Sequence, residues 1–168
     1  MTRYAFILPA LAFLACMGTE PRKETLQPPR KLTIKEAGVQ FHVPADWKVE
    51  YKRGGIETEA PGQYPSMRFS HLEGPFGMHQ VEGLKEQLSD SISDWGPVAE
   101  KTVNGMRGYA WEGAGYRDGL SYKISVVLLD RGKNCMIALM FTPNFRAAHS
   151  EAEAEKVIQS IKPIDLYY

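Results

Sequence analysis

The sequence predicts an α+β domain in which helices cover an antiparallel sheet, and three observations support this prediction. Four consecutive segments with strand character run from Val98 to Phe141, joined by Asn104-Gly105, Asp118-Gly119 and a turn at 130–133, which is the pattern of a meander of hairpins. Apolar residues occur on both faces of the strand Leu120–Asp130, so both faces should be covered. Segments with apolar residues at helical spacing precede and follow the meander, and we therefore expect an α/β/α sandwich.

The elements before the meander are predicted to be short strands. Leu32 and Ile34 alternate with polar residues, and so do Val39, Phe41 and Val43, which indicates a hairpin with one buried face. Further strands are expected at 47–51, 56–59 and 66–71, with turns at Gly54-Gly55 and Pro61-Gly62.

Two amphipathic helices are predicted. The first runs from about Met78 to Ser93, and Gly96-Pro97 should end it. The second follows the breaker Thr142-Pro143-Asn144 and ends at Pro163. The apolar positions that define them are Val81, Leu84, Leu88 and Ile92 in the first, and Ala154, Val157, Ile158 and Ile161 in the second.

The first residues have the pattern of a secretory signal peptide. Arg3 precedes an uncharged run from Tyr4 to Ala15, which is too short to span a bilayer at roughly 20 residues. Leu14-Ala15-Cys16 resembles a bacterial lipobox, with Phe13 where such motifs usually have Leu. We therefore predict a signal peptide over residues 1–15 and a lipid on Cys16, with secretion without lipidation as the alternative.

The segment after Cys16 is predicted to be a disordered tether that continues to residue 30. It is polar and charged and contains three prolines, a composition that does not bury enough apolar surface to fold. Met17 stands where an Asp would resemble an inner-membrane retention signal, so the outer membrane is favoured over the inner membrane. A periplasmic location is the alternative. Residues 31–168 are expected to form a single domain.

Composition excludes some classes of partner and cofactor. The 20 Lys and Arg residues balance 20 Asp and Glu residues, which does not suggest nucleic acid as a partner. The four histidines are scattered and lack metal-ligand spacing, and Gly113-Ala114-Gly115 lies inside a predicted strand and not in a dinucleotide-binding loop. Cys135 is interpreted as a buried structural residue. We therefore predict no catalytic residue, cofactor or metal ligand, and no enzymatic activity.

Aromatic residues are the remaining candidates for a functional surface. If some of them are exposed, they would form a binding patch, because Trp and Tyr dominate interface energetics. The candidate residues are Trp47, Trp95, Tyr109, Trp111 and Tyr116.

The segment Phe41-His42-Val43-Pro44-Ala45-Asp46-Trp47 resembles the opening of PsbP-like and Mog-type domains. The Asn104-Gly105 hairpin, the meander and the closing helix fit the same pattern, so the resemblance covers residues 31–164. It implies an α/β/α sandwich and function by binding, without a shared active site. The expected function is a non-enzymatic envelope lipoprotein that binds a protein or assists assembly. The alternative is a periplasmic small-ligand carrier with a cleft between sheet and helix, and a hydrolase is least favoured.

Overall fold

The computed structural model describes residues 27–117 and 120–164. The helices are α1 (Met78–Gln87) and α2 (Ala147–Gln159), and a 3₁₀ turn at Asn144–Arg146 precedes α2. The predicted signal peptide, Cys16 and most of the predicted tether lie outside the described residues. The strands are β1 (Arg30–Ile34), β2 (Val39–Val43), β3 (Lys48–Lys52), β4 (Gly55–Glu59), β5 (Ser66–Glu73), β6 (Ile92–Trp95), β7 (Ala99–Val103), β8 (Met106–Arg117), β9 (Leu120–Asp130), β10 (Asn134–Pro143) and β11 (Lys162–Pro163).

Two antiparallel sheets organise the described strands. The larger sheet has the order β3-β4-β5-β10-β9-β8-β6, and β7 also pairs with β8, beside β6. The smaller sheet has the order β1-β2-β11. The predicted meander is confirmed, because β7, β8, β9 and β10 follow one another in the chain and each pairs with the next. The molecule is thus an α+β fold with a mostly antiparallel sheet.

Strand alternation divides the apolar residues of the large sheet between two cores. In β9, Val126 and Leu128 face the side of α1, whereas Val127 and Leu129 face the side of α2. Successive side chains of a strand point to opposite faces, so both faces of the central strands are buried. The prediction that both faces are covered is confirmed.

Each helix closes one of these cores. Val81 and Leu84 of α1 pack with Trp111 and Ile137 on one face. The predicted apolar face of α2 is confirmed on the other face. There, Ala154, Val157 and Ile158 are buried with the small sheet, whose core residues include Leu32 and Phe41. Ile161 is buried in the same core but follows the end of α2, so its predicted place in the helix is wrong.

The first helix is shorter than predicted. It ends at Gln87 with Leu88 as its C-cap, and the predicted helical residue Ile92 begins β6 instead. Ser89, Asp90 and Ser91 are poor helix formers, and β6 finds a pairing partner in Gly113–Gly115 of β8. Gly96-Pro97 therefore follows a strand and does not end the helix.

The second helix is also bounded differently from the prediction. It starts at Ala147, directly after the 3₁₀ turn, and ends at Gln159, before Pro163. Lys162 and Pro163 form β11 and pair with Gln40 and Val39 of β2. The chain after α2 thus completes the small sheet.

Candidate functional site

The five aromatic residues predicted as a patch do not form one surface. Trp47 is buried in the core on the α2 side, and Trp111 is buried in the core on the α1 side. Trp95 and Tyr109 are half-buried against the same core as Trp111. Only Tyr116 of the five is strongly exposed, at 71%. The prediction is corrected at Trp47 and Trp111, because the two layers covering the sheet remove their side chains from solvent.

Tyr109 is held by a neighbouring aromatic ring. Its ring stacks on Phe76, with ring centroids 4.7 Å apart and an interplanar angle of 15°. The Arg107 guanidinium lies 5.3 Å from the centroid of the Phe76 ring, within the range of a cation–π contact. The stacked ring therefore holds Tyr109 against the domain, which leaves it half-buried.

A cleft lies between α2 and the sheet, and we call it the α2 cleft. Its volume is about 740 Å³. Ala99, Ala110, Val127 and Ala138 line it and occupy one row across β7, β8, β9 and β10, because they are directly paired in register. Three alanines in one row leave space below the helix that larger side chains would fill.

Two groups of charged residues flank this row of small residues. On one side Lys101 Nζ lies 2.9 Å from both carboxylate oxygens of Glu155. On the other side Lys123 Nζ lies 2.8 Å from Glu112 and 2.8 Å from Glu151. Burial alone would lower the pKa of Lys123, but its hydrogen bonds to both glutamates outweigh burial and raise it. The α2 cleft therefore has an apolar floor and a charged, internally paired rim.

A second cleft, of about 520 Å³, lies on the other face of the sheet. We call it the tyrosine cleft, because Tyr64 and Tyr122 line it and their hydroxyl oxygens are 3.0 Å apart. Its apolar surface includes Leu139 and Phe141 of β10. Its charged residues are Glu57, Glu59 and Arg68. Helix α1 has only 10 residues, and so it covers this face incompletely.

Cys135 has the environment of a structural cysteine. Its side chain is fully buried in the core on the α1 side. Burial raises the pKa of the Cys135 thiol to about 11, and the negative charge of Asp130 adds to this effect. Only a thiolate is strongly nucleophilic, so Cys135 is poorly suited to covalent chemistry.

The titratable residues of the described part do not gather into a metal centre. Within residues 27–117 and 120–164, no three His, Cys, Asp or Glu side chains are grouped so that they could hold a metal ion. Among the ion pairs of the described residues, His149 takes part in one, in which its Nε2 lies 3.5 Å from a carboxylate oxygen of Glu153. In the same described ranges, no helix has the length and apolar character needed to cross a bilayer.

Sequence reasoning missed two exposed apolar residues, Leu120 and Phe145. Leu120 is 42% exposed and Phe145 is 71% exposed. Leu120 follows the predicted turn Asp118-Gly119, so its place at a hairpin tip was available from the sequence. Phe145 follows the breaker Pro143-Asn144, where nothing in the local pattern indicates exposure.

Comparison with known protein families and with curated proteins finds no match. Several solved structures are similar in fold. A protein from Bacteroides thetaiotaomicron aligns with a TM-score of 0.58 and 19% identity, over 77% of this chain and 46% of that chain. This chain therefore spans less than half of that protein.

Two further structures cover most of both chains. The solution structure of cyanobacterial PsbP (CyanoP) from Synechocystis aligns with a TM-score of 0.60 and 10% identity, over 88% of this chain and 98% of that chain. LpqN, described as involved in cell envelope biogenesis of Mycobacterium tuberculosis, aligns with a TM-score of 0.53 and 12% identity, over 81% of this chain and 85% of that chain. The fold is thus PsbP-like, and the Mog-type part of the resemblance stays a prediction.

Proposed function

We propose that this chain is a lipid-anchored protein of the bacterial cell envelope whose domain binds a protein partner and does not catalyse a reaction. The proposal of a lipid anchor is based on Cys16 and on the signal-peptide pattern that precedes it. The envelope location is supported by the fold shared with LpqN, a protein described as involved in cell envelope biogenesis. Met17 after the cysteine favours the outer membrane.

The observation that supports protein binding best is the construction of the α2 cleft. Its row of alanines provides an apolar floor, and the ion pairs of Lys101 and Lys123 surround that floor. Protein interfaces have the same anatomy, with an apolar centre and a polar rim. The rim lysines are neutralised by Glu112, Glu151 and Glu155, so the cleft does not select a strongly charged ligand. An apolar side chain projecting from a partner fits this floor.

Site-specific photo-cross-linking in intact cells tests this proposal. Ala152 lines the α2 cleft and is exposed, so a p-benzoylphenylalanine placed there should cross-link to the partner. His149 lies on the same helix, is exposed and does not line the cleft, and it serves as the matched control position. A discrete adduct from position 152 that is absent from position 149 supports the proposal. Identical adducts from both positions, or none from position 152, contradict it.

The volume of the α2 cleft also keeps the small-ligand carrier as a second candidate. A volume of about 740 Å³ lies within the usual range for ligand pockets, roughly 300 to 1,000 Å³. Native mass spectrometry of the protein extracted from membranes separates the two candidates. A bound small mass that disappears in Ala152→Trp, together with no protein adduct, would favour the carrier.

The anchor has its own test, which does not depend on the cleft. The intact mass of the mature protein from membranes should include acyl chains, and a Cys16→Ser variant should lack them. A plain cleaved mass in the soluble fraction would exclude the lipid anchor and favour a diffusible protein.

A further inference from the structure

Three exposed apolar residues lie at the same end of the large sheet. Tyr116 and Leu120 flank the tip of the β8–β9 hairpin, and Phe145 follows the end of β10. Pro143 pairs with Tyr122 of β9, so the end of β10 lies one strand from the start of β9, about 4.8 Å away. We call Tyr116, Leu120 and Phe145 the apolar end.

The other exposed apolar residues of the described chain lie elsewhere. Tyr51 pairs with Ile56 along the edge of the sheet. Met78 begins α1, shortly after β5 ends at Glu73, and Glu73 pairs with Asn134 at the opposite end of β10. Exposure of large apolar groups is therefore concentrated at the end formed by the β8–β9 tip.

The polypeptide enters the domain at this same end. Arg30 is the first residue of β1 and pairs with Val43, the last residue of β2. The short segment 44–47 leads from Val43 to Lys48, which pairs with Glu59. Glu59 pairs with Ser66, Ser66 with Phe141, and Phe141 with Ile124. This row of paired residues crosses the sheet from Lys48 to the half of β9 that is nearer the β8–β9 tip.

Hydrogen bonds fix the other end of the first hairpin away from the apolar end. Arg131, in the β9–β10 turn, donates hydrogen bonds to the carbonyl oxygens of Ala37 and Gly38, at 3.2 and 3.1 Å. Asn134 Nδ2 donates to the Glu36 carbonyl oxygen at 2.9 Å. The β1–β2 turn thus lies at the β9–β10 turn, and Arg30 lies at the opposite end of β1.

The length of the predicted tether then determines which end of the domain lies nearer the membrane. A chain with the length of residues 16–29 reaches at most roughly 40 Å at a polyproline-like rise. Strand β8 has 12 residues and so extends about 40 Å. Because the anchor holds the end at Arg30, the β9–β10 turn is on average farther from the bilayer.

We propose that the apolar end of the domain rests in the headgroup region of the membrane that carries the anchor, and this inference depends on the proposed lipid anchor. Aromatic rings of Tyr and Phe suit the boundary between water and acyl chains. Arg30 and Lys31 are exposed where the chain enters, and their positive charges complement anionic headgroups.

Fluorescence quenching in vesicles tests this orientation with the acylated full chain. Lipidated Cys16 and buried Cys135 do not react with a maleimide dye, so one introduced cysteine takes the label. Ser121→Cys places the dye beside Tyr116, its strand partner, and Lys133→Cys places it at the β9–β10 turn. With nitroxide groups at headgroup depth, we expect the Ser121→Cys dye to be quenched at least threefold more. Equal quenching, or stronger quenching at position 133, would overturn the proposal.

A second pair of variants tests whether the apolar side chains cause the orientation. Replacing Tyr116, Leu120 and Phe145 with Ser should reduce quenching at Ser121→Cys to the level of Lys133→Cys. The matched control is Tyr51→Ser, because Tyr51 is 73% exposed and Tyr116 is 71% exposed. An unchanged signal in the triple variant, with its circular dichroism spectrum also unchanged, would contradict the proposal.

Failure of the lipid anchor can be distinguished from failure of the apolar end. If the intact mass shows no acyl chains, the anchor is excluded, and the Cys16→Ser chain is sedimented with vesicles that contain phosphatidylglycerol. Binding that the triple serine variant weakens at least threefold would still support the apolar end, whereas no binding would overturn it. A dye that is shielded in native membranes but unquenched in vesicles would also overturn it and indicate a protein contact.

Discussion

Asn104 should stabilise the domain through the connection between the β7–β8 hairpin and the end of α2. Its side-chain amide donates hydrogen bonds to the carbonyl oxygens of Gln159 and Ile161, at 2.8 and 2.7 Å. Its backbone has a φ of +47°, and Gly105 follows with a φ of +80°, which is the conformation of a type I′ turn. One residue therefore forms a turn and also satisfies two carbonyl groups, one at the last residue of α2 and one just beyond it.

Replacing Asn104 with glycine separates these two contributions. Glycine keeps the positive φ without strain but removes both hydrogen bonds, each worth about 1 kcal/mol. We expect the free energy of unfolding to fall by about 2 kcal/mol, and the Tm by about 6 °C for a domain of this size. Asn104→Ala should lose about 1 kcal/mol more, because a β-carbon disfavours left-handed backbone.

Thermal and urea unfolding, followed by circular dichroism, measure these differences. Asn104→Asp is the sharpest control, because it keeps the shape of the side chain but directs a carboxylate at two carbonyl oxygens. This contact disfavours the charged carboxylate and should raise its pKa in the folded state, so the aspartate variant should lose stability as pH rises through that pKa. If Asn104→Gly unfolds within about 0.5 kcal/mol of the unsubstituted protein, the hydrogen bonds do not stabilise the domain.

Three further predictions concern the core on the α1 side and the ion pair beside the β9–β10 turn. A disulfide reagent at pH 8 should react with Cys135 only after unfolding, because burial raises its pKa to about 11; fast reaction of the folded Cys16→Ser protein would contradict this. Gly113→Val should lower the free energy of unfolding by about 2 kcal/mol, because a β-carbon at this position would lie 2.6 Å from Ile92 Cγ2. An unchanged midpoint of urea unfolding would contradict this steric clash. Burial alone would raise the pKa of Asp130, but hydrogen bonds from the Gly132 N–H and Arg107 lower it. Arg107→Ala should therefore destabilise the domain only slightly at pH 7, because the ion pair is exposed, and this difference should vanish as pH falls through the lowered pKa of Asp130. A difference that is constant from pH 7 to pH 2 would exclude the ion pair as its cause.

The meander could be predicted because its signals are local. Asn104-Gly105 fixes a two-residue turn, and the strands on either side alternate in a way that only an extended chain explains. The β8 and β9 boundaries agree with the prediction at Met106–Arg117 and Leu120–Asp130. Neither signal depends on residues that are distant in the sequence.

Strand β6 was missed because its signal is not local. Leu84, Leu88 and Ile92 continue the helical spacing of α1, so periodicity alone assigns Ile92 to the helix. What makes Ile92 part of a strand is β8, where Gly113 and Gly115 have no β-carbon to obstruct it. A β-carbon at Gly115 would lie 2.3 Å from the Ser91 carbonyl oxygen, so β6 approaches β8 only because glycine is there.

The clefts and the buried tryptophans also depend on tertiary packing. Alternation places Tyr109 and Trp111 on one face of β8, but it does not show that α1 covers Trp111. The α2 cleft forms where alanines of β7, β8 and β10 come into one row. Each alanine is ordinary in its own strand, and only the register reveals the space that they leave.

The pairing of β1 has a mechanical consequence for a protein held by its N-terminal side. β1 is an edge strand, joined to the rest of the domain by five residue pairs with β2 and by the buried side chains of Leu32 and Ile34. If the proposed lipid on Cys16 holds the chain at the membrane, tension between that anchor and a partner bound by the domain would pass through these pairs first. When force is applied at Arg30, β1 should therefore separate from β2 before the eight-stranded sheet unfolds. The chain would then lengthen by the few residues of β1 while the rest of the domain stays folded.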